Sequence, residues 1–313
     1  MDPEFATTLI ERQLLHAYPS ANYFGPRPSL ASAMQQVRTV CLLLRASGGA
    51  VRHRVLGVAS RTAEFVGWLH QDLGDFRTAG YWSDRSMEWA QEAADDPMQA
   101  YVLFRKSHQA AAQNVPEKTI GLARAAQRTP GVPSRLTALA TQQEATGYAL
   151  QRNPKAALQR FDDAHELAHH SATEISTFPT PSEASKSAVD TTYCTPGYIE
   201  LQRAKCWLTL GEPHRAVQIY EREIEALPPV YRNDRGVYLA QLALALAETG
   251  DPEQGAQAAV EATTIAAHTG SARILTALEA AAATMLPRRD VPAVMHFIEQ
   301  FHAVRSRSVA HRP

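Results

Sequence analysis

Apolar residues along this chain recur at three- and four-residue intervals almost from end to end, and no useful stretch alternates at every second position. That period gives each of a series of α-helices one apolar face, so the pattern predicts an all-α protein. The clearest unit runs from Leu56 to Ala93, two amphipathic helices folded back at a tight Gly74-Asp75 turn. Upstream, Ala6 to Tyr18 reads as a short helix with Leu9, Ile10, Leu14 and Tyr18 at helical spacing, and Pro19 to Pro28 as a turn-rich connector. Ser29 opens a helix to about Ala46, with Met34, Val37, Cys41 and Leu44 on one face. Ser47-Gly48-Gly49 ends it, since glycine tolerates the left-handed conformation of a helix cap, and a long helix follows from about Val51. Met1 to Phe5 fits no helix pattern and reads as a vector-derived leader, with the native chain expected to begin further upstream.

Echoes of the Gly74 turn can be counted. Gly74, Asn114, Arg152, Gly211, Gly250 and Arg289 stand 38 to 40 residues apart, except for one interval of 59. Five positions beyond each lie Ala79, Thr119, Ala157, Ala216, Gly255 and Val294, and at most of these the side chain is small enough for two helices to press together. Twelve positions beyond, the residue is small in four cases and fails at Glu223 and Phe301. The long interval places an insertion at about 171–195, rich in Ser, Thr and Pro and edged by Phe178 and Tyr193, which reads as an exposed connector or as a strap across the array. The expected organisation is a set of N-terminal helices over 6–50, suited to linkage or dimerisation, and a repeat array over 51–313. Met295, Phe297, Ile298, Phe301 and Val304 on the last helix should cap it, with Glu299, Gln300, His302 and Arg305 facing solvent.

These hairpins resemble the tetratricopeptide repeat, although their period exceeds its usual ~34 residues; a HEAT-like array is the alternative. The resemblance implies a right-handed superhelical solenoid of about six hairpins. Longer strings carry a second likeness: Gly67-Trp68-Leu69-His70-Gln71-Asp72-Leu73-Gly74-Asp75, Tyr101 to Ser107, Tyr193 to Tyr198, Asp234-Arg235-Gly236 and Gly270-Ser271-Ala272-Arg273. With them the chain resembles the C-terminal repeat region of actinobacterial XRE-type transcriptional regulators. That likeness implies a cytoplasmic, homodimeric regulatory region whose helix-turn-helix DNA-binding domain is absent from this chain.

Composition narrows the chemistry. A net charge of −1 without a basic block argues against direct nucleic-acid binding. No apolar run is long enough to span a bilayer. Cys41, Cys194 and Cys206 have no CxxC spacing, which fits a reduced compartment. One catalytic string stands out, His165-Glu166-Leu167-Ala168-His169, an HExxH that on a helix could chelate zinc with Glu166 as base, drawing a third ligand from Glu174, Glu183 or Asp190. It falls in register at the end of a repeat helix, and the preferred reading is a solvated helix end, with no enzyme, metal or cofactor. A structural zinc site from Cys194, Cys206 and His169 or His170 is a weaker alternative. In stacked hairpins the first helices line the concave face. Their inward residues are Glu64, Trp68, Gln71, Tyr101, Arg105, His108, Gln142, Thr146, Tyr198, Gln202 and Lys205. This mix of aromatic, amide and charged groups suits an extended peptide, a small polar effector or a protein partner. A constitutive docking scaffold is the alternative to a sensor.

Overall fold

The computed structural model describes residues 2–174 and 191–310. Among them are fourteen α-helices, one 3₁₀ turn and no strand. Two N-terminal helices, α1 (Pro3–Phe24) and α2 (Pro26–Ala46), precede six hairpins. These pair α3 (Gly49–Asp72) with α4 (Phe76–Glu92), α5 (Asp96–Ala112) with α6 (Pro116–Gln127), and α7 (Ser134–Leu150) with α8 (Pro154–Glu174). After the insertion come α9 (Pro196–Leu210) with α10 (Pro213–Glu225), α11 (Arg232–Glu248) with α12 (Pro252–Thr269), and α13 (Ala272–Met285) with α14 (Pro292–Ala310). The fold is an all-α solenoid. Most of the insertion, 175–190, including Phe178, lies outside the described residues.

The counted turn positions are where the backbone turns. Gly74, Asn114, Arg152, Gly211 and Gly250 all have positive φ, as does Ala94 between the first two hairpins. Asp75, Asp95, Asn153 and Asp251, each one residue later, accept a hydrogen bond from the backbone N–H three positions on and so cap the following helix. Arg289 departs from the pattern: the 3₁₀ turn Leu286–Arg288 joins α13 to α14, and its φ is −62°. The small slots are buried as expected, with Ala79, Thr119, Ala157, Ala216 and Val294 all at 0% exposure. Glu223 is accommodated because its carboxylate sits where a Cβ on Gly197 would be, 2.6 Å from Oε2. A glycine across the interface thus makes room for the one long polar side chain in the series. On α14, Phe297, Ile298 and Phe301 are buried while Glu299, His302 and Arg305 are exposed, which caps the array.

The N-terminus differs from the sequence expectation. Residues 3–5 belong to α1, because Asp2 accepts from the Glu4 N–H and Pro3 occupies the first turn, where a missing N–H costs nothing. Pro19 does not break the helix, which runs on to Phe24, and α2 opens at Pro26 rather than Ser29. An interior proline costs roughly 3 kcal/mol. The turn beyond it is held by long-range contacts: Ala21 is buried, and Asn22 bonds to the backbone and side chains of α11.

Those contacts close the array on itself. Asp72, at the end of α3, accepts from Ser271 Oγ (2.5 Å), Arg273 Nε (2.7 Å) and Asn233 Nδ2 (2.7 Å). Arg273 reaches on to Asp234 at 3.1 Å, and Asp234 also accepts from Asn22 at 2.6 Å. The Asn22 side-chain oxygen accepts from the backbone N–H groups of Asn233 and Asp234. Beside this network Gly25, at φ +95°, lies against the Thr269 carbonyl with no room for a Cβ. First and last hairpins are thereby joined through a buried polar seam.

Breaking a buried pair on one side costs roughly 3–5 kcal/mol. Asp72→Ala should therefore lower stability by about that amount in urea denaturation and enlarge the radius of gyration in X-ray scattering. Glu88→Ala, which removes an exposed i,i+3 pair with Arg85, should stay within about 0.5 kcal/mol of the parent.

Candidate functional site

The first helices of the hairpins turn a polar and aromatic surface inward. Trp68 of α3 is its centre. The guanidinium of Arg105 (α5) lies 4.2 Å from its ring centroid, and that of Arg273 (α13) lies 4.3 Å away. His108 stacks beside it at 6.2 Å and pairs with Gln71 through Nδ1 at 3.2 Å. Tyr193, Tyr198 and Tyr101 continue the wall. Tyr193 packs edge-on to Tyr198 at 5.4 Å, and its hydroxyl is 3.4 Å from that of Tyr101. Gln202 donates to the Tyr238 hydroxyl at 3.1 Å.

The structure divides the eleven residues expected on the inner face. Trp68, His108, Thr146, Tyr198, Gln202 and Lys205 keep partial exposure. Glu64, Gln71, Tyr101, Arg105 and Gln142 are buried instead of lining an open surface, because the closed array folds its inner face over them. Gln142 and Thr146 pair with each other along α7 at 2.9 Å, and among the described residues neither bonds to the Trp68 cluster. Sequence reasoning missed Tyr18, Asp72, Asn233, Asp234, Tyr238 and Arg273 as neighbours of this surface. Asp72, Asp234 and Arg273 did stand inside the strings that carried the family likeness, and Tyr193 stood at the edge of the insertion.

Charges in the cluster are unevenly matched. Glu64, 2% exposed, forms an ion pair with Arg105 at 2.7 Å and accepts a hydrogen bond from the Tyr18 hydroxyl. Burial pushes its carboxyl up to about 7 against the attraction of Arg105. Burial holds His108 well below the usual imidazole range, helped by the cations of Arg105, Lys205 and Arg273, so its ring is neutral. Lys205 is lowered by burial and by Arg273. The tyrosines 101, 193, 198 and 238 are raised by burial and stay protonated.

The HExxH reading draws its third ligand from Glu174, Glu183 or Asp190, whose side chains lie outside the described residues. His165 faces Glu200 at 3.9 Å, while Glu166 and His169 are exposed on the outer side of α8. Cys194 and Cys206 are buried thiols pushed up to about 12 by burial. Among the described residues no three His, Cys, Asp or Glu side chains converge as a metal set, and Glu183 and Asp190 lie outside them. No helix among them is long and apolar enough to cross a membrane. A surface cleft of about 660 Å³ between α6, α7 and α8 is lined by Arg124, Arg128, Lys155 and Arg160, with Glu144 ion-paired to Arg124 and accepting a hydrogen bond from Gln127.

Comparison with protein families and with characterised proteins finds no match in either. Among solved structures the chain is similar to a Rap protein complexed with Competence and Sporulation Factor, with 10% identity and a TM-score of 0.55 over 98% of this chain and 100% of that one. It is also similar to BtubC (BKLC) from P. vanneervenii, with 15% identity and a TM-score of 0.48 over 77% of this chain and 91% of that one. The class defined by fold and by the first of these likenesses is a helical-repeat solenoid.

Glu64 supplies a pH test. A carboxyl raised above its unfolded value stabilises the fold below about pH 4.5, and that contribution is lost as pH rises through about 7. His108, lowered in the fold, gives the opposite slope and is present in both proteins compared. The difference in urea stability between the parent and Glu64→Gln should therefore shift against the parent by on the order of 2 kcal/mol from pH 4.5 to 7.5. A constant difference would place Glu64 at an ordinary carboxylate value.

Proposed function

We propose that the chain is a sensing module that binds a peptide on its inner face, and that it forms the regulatory part of a helix-turn-helix transcriptional regulator. The observation that carries this is Trp68, partly exposed yet held by two guanidiniums, with His108, Tyr193, Tyr198 and Gln202 offering ring faces and polar groups alongside. Aromatic rings take side chains and amides take backbone groups, which is the division of labour an extended peptide needs. A Rap protein of similar fold has been seen complexed with Competence and Sporulation Factor, so a second molecule is compatible with this architecture. In the regulator reading, cytoplasmic and dimeric, DNA is contacted only by a domain outside this chain.

The signalling route follows from Arg273, which touches both Trp68 and Asp72. A ligand that displaces or tightens Arg273 alters the closure of the array, and a preference for one closure shifts the population toward it. That change in shape would be read as a change in the relative placement of two subunits.

A thermal-shift screen with pooled peptides tests the proposal. A ligand at about 100 times its dissociation constant stabilises by about 2.7 kcal/mol. Trp68→Ala and Gln202→Ala should each remove most of the shift while circular dichroism stays helical. Retention of the full shift by both variants places binding elsewhere. Binding without any change in scattering profile supports a constitutive scaffold over a sensor.

A further inference from the structure

The cleft between the ends of α6 and α7 and the first turns of α8 gathers positive charge, and it shares no lining residue with the Trp68 cluster. Four of its ten lining residues are cationic, Arg124, Arg128, Lys155 and Arg160, against 31 of 313 in the whole chain. A protein of net charge −1 thus concentrates cations here.

The carboxylate inside the cleft is already engaged. Glu144 accepts from Arg124 Nε at 2.8 Å on one oxygen and from Gln127 Nε2 at 3.0 Å on the other. Arg124 also donates to the Tyr148 hydroxyl, which keeps its own proton to give. Arg160 pairs with Asp163 at 2.8 Å. Arg128 and Lys155 are exposed, and among the described residues their side chains make no hydrogen bond or ion pair. Lys155 also stands in the first turn of α8, where the positive end of the helix dipole opposes a cation. The charge left to offer is therefore positive, from two unmatched cations with a phenol O–H in the same cleft.

We propose that this cleft docks an acidic segment of a partner protein, with carboxylates on Arg128 and Lys155 and a further acceptor on the Tyr148 hydroxyl. Gln127 and Gln159 have their amide nitrogens held by Glu144 and Asp163, which leaves their oxygens for backbone N–H groups of the segment. An exposed ion pair strengthens binding only about two- to fivefold, so one small carboxylate would not be held, whereas several along a chain would. Glu144 and Asp163 interrupt the cations, which suits spaced carboxylates better than the continuous charge of a nucleic-acid backbone. This docking is independent of the inner-face reading, and either stands without the other.

The test uses the full chain and a dye-labelled peptide of about twelve residues in which glutamate alternates with glycine and leucine, read by fluorescence anisotropy. The peptide should bind, and its affinity should fall at least about tenfold as salt rises from about 50 to about 300 mM, because exposed charges are screened. Arg128→Glu and Lys155→Glu should each weaken binding at least about fivefold and together abolish it, while Arg128→Lys and Lys155→Arg stay within about twofold. Lys155→Glu should melt level with the parent or higher, since a carboxylate suits the first turn of a helix. Loss of binding only in variants that also lose helicity overturns the proposal, as does full binding by the double reversal. Equal binding of a glutamine version of the peptide shows that charge is not recognised and overturns it too. Displacement by a single-stranded oligonucleotide at lower concentration than the unlabelled peptide assigns the cleft to nucleic acid, and displacement by millimolar inorganic phosphate assigns it to a small anion; each replaces the acidic partner. No binding of the peptide at low salt removes it.

Discussion

The contact on which the rest of this structure depends is the buried pair of Asp72 and Arg273, 201 residues apart in sequence. A solenoid needs no such contact, because each hairpin packs only on its neighbours and the ends stay apart. Here Asp72 accepts three donors at once, so its desolvated charge is matched by an ion pair and by neutral hydrogen bonds from Ser271 and Asn233. A half-satisfied version of this seam would be worse than none, since each remaining polar atom would sit in low dielectric without a partner. The geometry therefore favours a closed array over one that is partly open.

Closure explains properties of the inner face that single hairpins could not produce. It brings Arg273 over Trp68, so the same guanidinium holds the seam and forms part of the proposed binding surface. It also buries Glu64 and Arg105 deeply enough to raise the Glu64 carboxyl, through packing of α1 that delivers the Tyr18 hydroxyl. In the proposed reading, occupancy of the surface and shape of the array would be linked through this short chain of direct contacts. That is the physical requirement for a sensor: two arrangements whose balance a bound group can move.

How much of this was legible in the sequence follows from distance along the chain. The turns at Gly74, Asn114, Arg152, Gly211 and Gly250 could be read because a left-handed residue and a small slot five positions later are both local. Pro19 misled because its local penalty is offset by Asn22 bonding to α11, 212 residues away. Arg289 kept the spacing but not the conformation, since Pro287 in the 3₁₀ turn does the work of a left-handed cap. The inward orientation of Glu64, Gln71, Tyr101 and Arg105 followed from helical phase, while their burial did not, because it depends on the ends meeting. In the HExxH string, read as a solvated helix end, Glu166 and His169 are exposed and His165 lies 3.9 Å from Glu200.

The five strings that carried a family likeness were separate in sequence and had no common reason there. In the structure they come to one place: Trp68, Gln71 and Asp72; Tyr101 and Arg105; Tyr193 and Tyr198; Asp234; Ser271 and Arg273. An apolar interior of the same size would be simpler to stabilise, since well-packed hydrophobic residues often match or exceed a buried ionic network. It would also leave nothing for a polar partner to recognise. Most of the polar groups here satisfy one another, which fixes the geometry of the wall. Among the described residues, buried side-chain atoms without a hydrogen-bond partner occur on Gln71 and Arg105 near Trp68 and also on Gln36, Gln143 and Arg203 elsewhere in the array. A wall whose polar groups largely hold one another is a rigid frame, and pre-organisation of that kind is what a surface needs in order to discriminate among ligands.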